Sequence, residues 1–99
     1  MTTSPKEPVT REVLKQRTKR FGLRVMQLVD ALPRTASGRA IASQLIRSGT
    51  SVGANYRSAC RGRSEAEFVA KLGTVVEEAD ESAFWMELIV EGKLLRQTL

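Results

Sequence analysis

An all-α fold is predicted, an antiparallel helical bundle with three helices in the chain. Three stretches of helical apolar spacing, separated by helix-breaking residues, carry that prediction. In the first stretch Leu14, Phe21, Val25, Leu28 and Leu32 step by seven, four, three and four, marking a helix from about Arg11 to Leu32 that Pro33 closes. Residues Arg34 to Gly38 form a short connection, with Ser37 or Gly38 placed to begin the second helix, and a tight hairpin of antiparallel helices follows.

The second helix keeps its rhythm through two glycines. Ile41, Leu45, Ser48, Val52, Tyr56 and Ala59 share one face, and beside them runs a stripe of mostly small residues, Ala42, Ile46, Gly49, Gly53 and Cys60. Each glycine inside a helix costs about 1 kcal/mol relative to alanine, and close approach of a neighbouring backbone is the most direct compensation. Gly49 and Gly53 are therefore expected at an interface with a neighbouring helix or subunit. Asn55 borders the apolar stripe and is expected to fix register there, while Tyr56 and Trp85, which have rings able to stack on bases, lie on apolar faces and are assigned to packing.

Arg61, Gly62 and Arg63 interrupt the second helix, and Ser64-Glu65-Ala66-Glu67 reads as a capping box that starts a third. Its expected inner face is Phe68, Leu72, Val75, Ala79, Ala83, Met86 and Val90, with Val69 and Val76 beside it; Lys71, Glu77, Glu78 and Glu81 are expected outside, and Gly92 at the end. From Phe84 to Val90 the chain is apolar nearly all round, so a further surface has to cover it. Trp85, Leu88 and Leu95 are expected at a subunit interface, in a homo-oligomer.

Residues 1–10, with Pro5 and Pro8, read as a flexible tail, and 11–99 as one helical domain. A single cysteine and no histidine exclude an intrachain disulfide and a Cys/His zinc site, and Cys60 reads as a small buried apolar residue in a reducing setting. No run approaches the roughly 18 apolar residues of a membrane span, so no membrane association and a cytoplasmic location are expected. No histidine base, phosphate loop or activated serine is evident, so neither catalysis nor a cofactor is expected. The consecutive acids Glu77, Glu78, Asp80 and Glu81 point in different directions as a solvated face rather than converging on a metal.

Charge is the functional clue. Residues 1–63 hold 13 Lys/Arg against three acids, net +10, while 64–99 hold three bases and eight acids, net −5. The halves either attract one another within the fold or present a basic surface to a polyanion. Lys15, Lys19, Arg20 and Arg24 flank the first helix's apolar face, which leaves that helix basic wherever it is wet. Arg57 and Arg61, with Arg39, lie opposite the second helix's stripe, and Arg63 extends the group. Lys15, Lys19, Arg20, Arg24, Arg57, Arg61 and Arg63 are thus the candidate phosphate contacts for RNA or DNA. Two other readings compete. Ala40 to Leu45 followed by Gly49 to Val52 is compatible with a helix-turn-helix DNA-binding regulator, although the unbroken apolar phase opposes a turn at Gly49, and a protein-only scaffold is open.

The spaced residues Ser43-Gln44-Leu45-x-Arg47, Ser51-x-x-Ala54-Asn55, Arg63-Ser64 and Glu67-Phe68 resemble the bacterial four-helix-bundle family that includes proteins encoded in intervening sequences of ribosomal RNA genes and the accessory variability protein of diversity-generating retroelements. The likeness covers about Phe21 to Leu95. It departs at Gly53, where the family commonly has proline, and at Arg57-Ser58-Ala59, where the family has Ala-Glu-Gly, so no role of that acid carries over. The resemblance implies a fourth helix, absent or truncated here since only Lys93 to Leu99 remain, together with a pentameric assembly, nucleic acid and a reverse transcriptase as partners.

Overall fold

The computed structural model describes residues 8–95, so residues 1–7 of the expected tail lie outside the described region. Three helices follow in order: α1 (Arg11–Asp30), α2 (Ala36–Cys60) and α3 (Glu65–Glu91). A hydroxyl starts each of them. Thr10 accepts a hydrogen bond from the Val13 N–H, Thr35 from Gly38 and Ser64 from Glu67, each contact worth about 1 kcal/mol. The expected start of α2 at Ser37 or Gly38 moves back accordingly, because Thr35 already supplies the cap. The capping box at α3 forms with one change of partner: the Glu67 carboxylate accepts the N–H of Arg63 rather than that of Ser64. Helix α1 ends at Asp30, two residues before the expected Leu32, because the residue preceding Pro33 is pushed out of helical geometry.

Helix α2 is one uninterrupted rod across Gly49 and Gly53, which removes the helix-turn-helix reading. The glycines are the seat of α1. A Cβ on Gly49 would stand 2.8 Å from both methyl groups of Val25, and one on Gly53 would stand 3.2 Å from the carbonyl oxygen of Thr18. Close packing of α1 on α2 thus offsets the helix-propensity cost of these residues within the chain itself.

On the other side of α2, hydroxyls permit the approach of α3. Ser48 and Ser82 are completely buried, their Oγ atoms lie 2.9 Å apart, and Ser82 Oγ also lies 2.9 Å from the Glu78 carbonyl oxygen. This contact turns α3 away from the expected inner face. Val75, Ser82 and Ile89 are buried, whereas Ala79, Ala83 and Val90 are exposed, as are Val69 and Val76. Helix α3 carries two adjacent apolar faces, and α2 covers only one of them. Glu78 and Glu81, expected to be outside, are half-buried and clamp Arg47 of α2, Glu78 at 3.4 Å and Glu81 in direct contact. Trp85 Nε1–H adds a 3.1 Å hydrogen bond to Glu81.

Two core clusters result, one around Val25, Leu32, Leu45 and Ile89, the other around Val52, Tyr56 and Val75. Helix α2 is the common wall: α1 and α3 bring no pair of Cα atoms within 8 Å of each other and meet only through side chains. Between them runs an open groove of about 510 Å³, lined by Phe21 of α1 and by Ala79, Ala83, Met86, Glu87, Val90 and Glu91 of α3. Gly92 caps α3 as expected. The next residue, Lys93, takes the left-handed φ of 55°, Leu94 N–H bonds back to Ile89, and Leu94 packs onto the first core cluster, so the chain reverses there.

Candidate nucleic-acid interface

Folding sorts the charges by helix. Helix α1 has six bases and two acids, α2 three bases and no acid, and α3 one base and eight acids. Only three of these cations are engaged by α3 or within it: Arg47 by Glu78 and Glu81, Lys71 by Glu67 at 3.8 Å, and Arg11 by Glu65 at 3.9 Å. Arg11 also lies over the Phe68 ring at 4.1 Å from its centroid. Among the described residues, none of Lys15, Lys19, Arg20, Arg24, Arg57, Arg61 and Arg63 forms a salt bridge.

These seven do not form one patch. Lys19 and Arg57 line a single shallow crevice between the outer sides of α1 and α2, floored by Gly22, Gly53, Thr50 and Ala54. Lys15 lies one helical turn before Lys19 on the same flank. Arg61 is the C-cap of α2 and Arg63 lies in the turn leading to α3, both exposed. Arg24 instead lines a second hollow with Val25 and Leu28, next to the α1/α3 groove and sharing Phe21 and Met86 with it. Arg20 is exposed on the side of α1 away from α2.

The crevice holds two residues that the sequence reading passed over. Leu23 and Met26, 52 % and 47 % exposed, line it beside Lys19, so α1 is not basic wherever it is wet. They stand out of phase with the α1 core positions, which is the signal that marks them as surface apolar residues. Asn55 is half-buried on the flank of α2 that also carries Ser48, and forms no side-chain hydrogen bond among the described residues. Trp85 packs half-buried on the first core cluster, Leu88 is half-buried and Leu95 exposed; the most exposed apolar residues of the α3 C-terminal half are Val90 and Phe84.

Tyr56 closes the second core cluster beside Cys60, which is half-buried. Burial, and then the hydrogen bond with the Cys60 thiol, raise the phenol above its ordinary value of 10.0, with Arg11 opposing. The folded protein therefore holds this proton more tightly than the unfolded chain does. That contribution is intact below about pH 10 and is lost as pH rises through the folded-state value. Unfolding midpoints in urea should fall above pH 10, and Tyr56→Phe should remove part of that slope.

Two outer helices packed on a central small-residue helix, with a basic flank free of salt bridges among the described residues, define an all-α helical-bundle protein. The chain belongs to the 23S rRNA-intervening sequence protein family, whose model matches residues 12–98. A solved structure from the S23 ribosomal protein family, a protein of unknown function from Bacteroides thetaiotaomicron, is similar with a TM-score of 0.79 and 32 % identity. The likeness covers 88 % of this chain and 78 % of that one. No curated protein matches the chain. Among the described residues, no helix is long and apolar enough to cross a membrane.

Proposed function

We propose that this protein is a non-catalytic, oligomeric accessory factor that binds nucleic acid, RNA foremost, through the outer flank of α1 and α2. The observation that carries this reading is the set of cations Lys15, Lys19 and Arg57 on that flank, with Arg61 and Arg63 at the end of α2 and in the turn after it, which no carboxylate among the described residues neutralises although α3 holds eight acids. Arginine forks and lysine ammonium groups along a shallow crevice between helices suit backbone phosphates and carry little sequence information. The family's description, which ties it to intervening sequences of 23S rRNA, supports RNA over DNA as the first ligand to test. A reverse transcriptase partner and a pentamer belong to the same proposal, on the resemblance alone.

Fluorescence anisotropy with a structured RNA and a single-stranded RNA, across a salt series, tests the reading. Binding should weaken steeply with salt, and Lys19→Glu with Arg57→Glu should lower the slope of log affinity against log salt by about 1 to 2. No binding at low ionic strength, or affinity untouched by these reversals, overturns it. Retention of a protein partner in a salt-insensitive complex free of RNA would favour the scaffold instead.

A further inference from the structure

We infer that the crevice between the outer sides of α1 and α2 takes an unpaired nucleotide, with its phosphate between Lys19 and Arg57 and its base on Leu23 and Met26. The assignment rests on the proposed nucleic-acid binding and names the form of strand that the flank selects. The crevice has a cationic end and an apolar end. Gly49 seats against Val25 and Gly53 against Thr18, so α1 and α2 run antiparallel. Lys15, one turn before Lys19, and Arg61, one turn after Arg57, therefore continue the crevice in the same direction, while Leu23 and Met26 lie the other way. Along α1, Lys19 and Leu23 are one turn apart, about 6 Å of rise. A phosphate held at Lys19 and Arg57 thus leaves its own base within reach of the two apolar side chains.

The apolar end suits the face of a ring. Its floor is built of glycine and alanine, and the Thr50 methyl group is among the atoms nearest to Gly22. Thr18 and Thr50 donate their hydroxyl hydrogens back to their own helices, to the carbonyl oxygens of Leu14 at 2.8 Å and Ile46 at 2.6 Å. Neither keeps a donor with which to read a base edge, so the floor discriminates little between bases. A base laid on Leu23 and Met26 takes their exposed apolar surface out of water, and the Met26 thioether makes a favourable contact with an aromatic ring. At about 260 Å³ the crevice falls below the roughly 300–1,000 Å³ of sites that enclose a whole organic ligand, which leaves room for a single ring.

A duplex meets only half of this site. Its bases are paired and stacked in the interior, so it offers phosphates to Lys19 and Arg57 and nothing to Leu23 and Met26. An amphipathic protein helix is the poorer occupant as well. Such a helix docks through apolar anchors spread over two turns, whereas the crevice presents two apolar side chains three positions apart. Lys19 and Arg57 have no carboxylate partner among the described residues, so the site calls for an anion with an aromatic plate one turn away. A single strand supplies both at every step.

Anisotropy of labelled oligouridine and of a blunt RNA duplex with the same number of phosphates tests this, with circular dichroism as the check that each variant remains helical. At equal salt, wild type should bind the single strand at least about fivefold more tightly than the duplex. Leu23→Ser with Met26→Ser should lower single-strand affinity about fivefold or more and leave duplex affinity and the salt slope unchanged. Lys19→Glu with Arg57→Glu should weaken both ligands. With isotope-labelled methionine methyl groups, the Met26 resonance should move upfield under the base when oligouridine is added, while that of Met86, in the α1/α3 groove, stays in place. A duplex bound as tightly as the single strand, a double serine variant that holds oligouridine like wild type, or an unmoved Met26 resonance would each overturn the inference and leave the nucleic-acid reading standing. Wild type that binds neither RNA overturns both. Tighter binding of polyglutamate than of oligouridine would assign the crevice to an acidic protein and overturn the inference.

Discussion

Gly38→Ala is expected to lower the unfolding free energy by about 3 kcal/mol. A Cβ at this position would lie 2.1 Å from the carbonyl oxygen of Pro33 and 3.1 Å from its carbonyl carbon, inside any permitted contact. The obstacle is backbone, in the turn that joins α1 to α2, so no side-chain rotation relieves it. Relief requires moving Pro33, and Leu32, buried in the first core cluster, moves with it. Gly73→Ala is the matching control. Nothing stands within 4 Å of a Cβ there, so the same methyl group should raise stability by up to about 1 kcal/mol through helix propensity alone. Urea titrations should show the midpoint falling for the first variant and rising for the second, with the denaturant slope unchanged in both.

Leu45→Ala should cost about as much, roughly 3 to 4 kcal/mol, by a different route. Leu45 is 0 % exposed and belongs to the cluster that joins Val25 and Leu32 to Ile89, so it supports both outer helices at once. Truncating it leaves a cavity that neither neighbour can fill without leaving α2. In a domain whose total stability is of the order of 5–15 kcal/mol, such a loss takes a large share of the folded population's margin. Trp85 packs against the same cluster, so its fluorescence reports the loosening directly in the unfolding curve.

The helices were legible because periodicity and capping agree. The unbroken phase from Ile41 to Ala59 identified α2 as one rod, and Ser64 with Glu67 marked the start of α3. The inner face of α3 is not legible in the sequence because an apolar count cannot tell one covered face from two. Ser82, the residue that orients this helix, is polar, and its burial depends on a partner hydroxyl 34 residues away. The burial of Glu78 and Glu81 is hidden in the sequence for the same reason, since their attraction to Arg47 appears only once α2 and α3 are side by side. The basic residues were legible as a set but not as a surface. Which of them share the Lys19–Arg57 crevice and which turn to the hollow beside the groove depends on how α1 seats itself on Gly49 and Gly53.

The sorting of bases onto α1 and α2 and of acids onto α3 gives the chain a permanent electric dipole directed across its width rather than along its rods. A molecule polarised in this way rotates before it collides: in the field of any highly charged polymer or surface it is turned to the same heading, and its encounters begin already aimed.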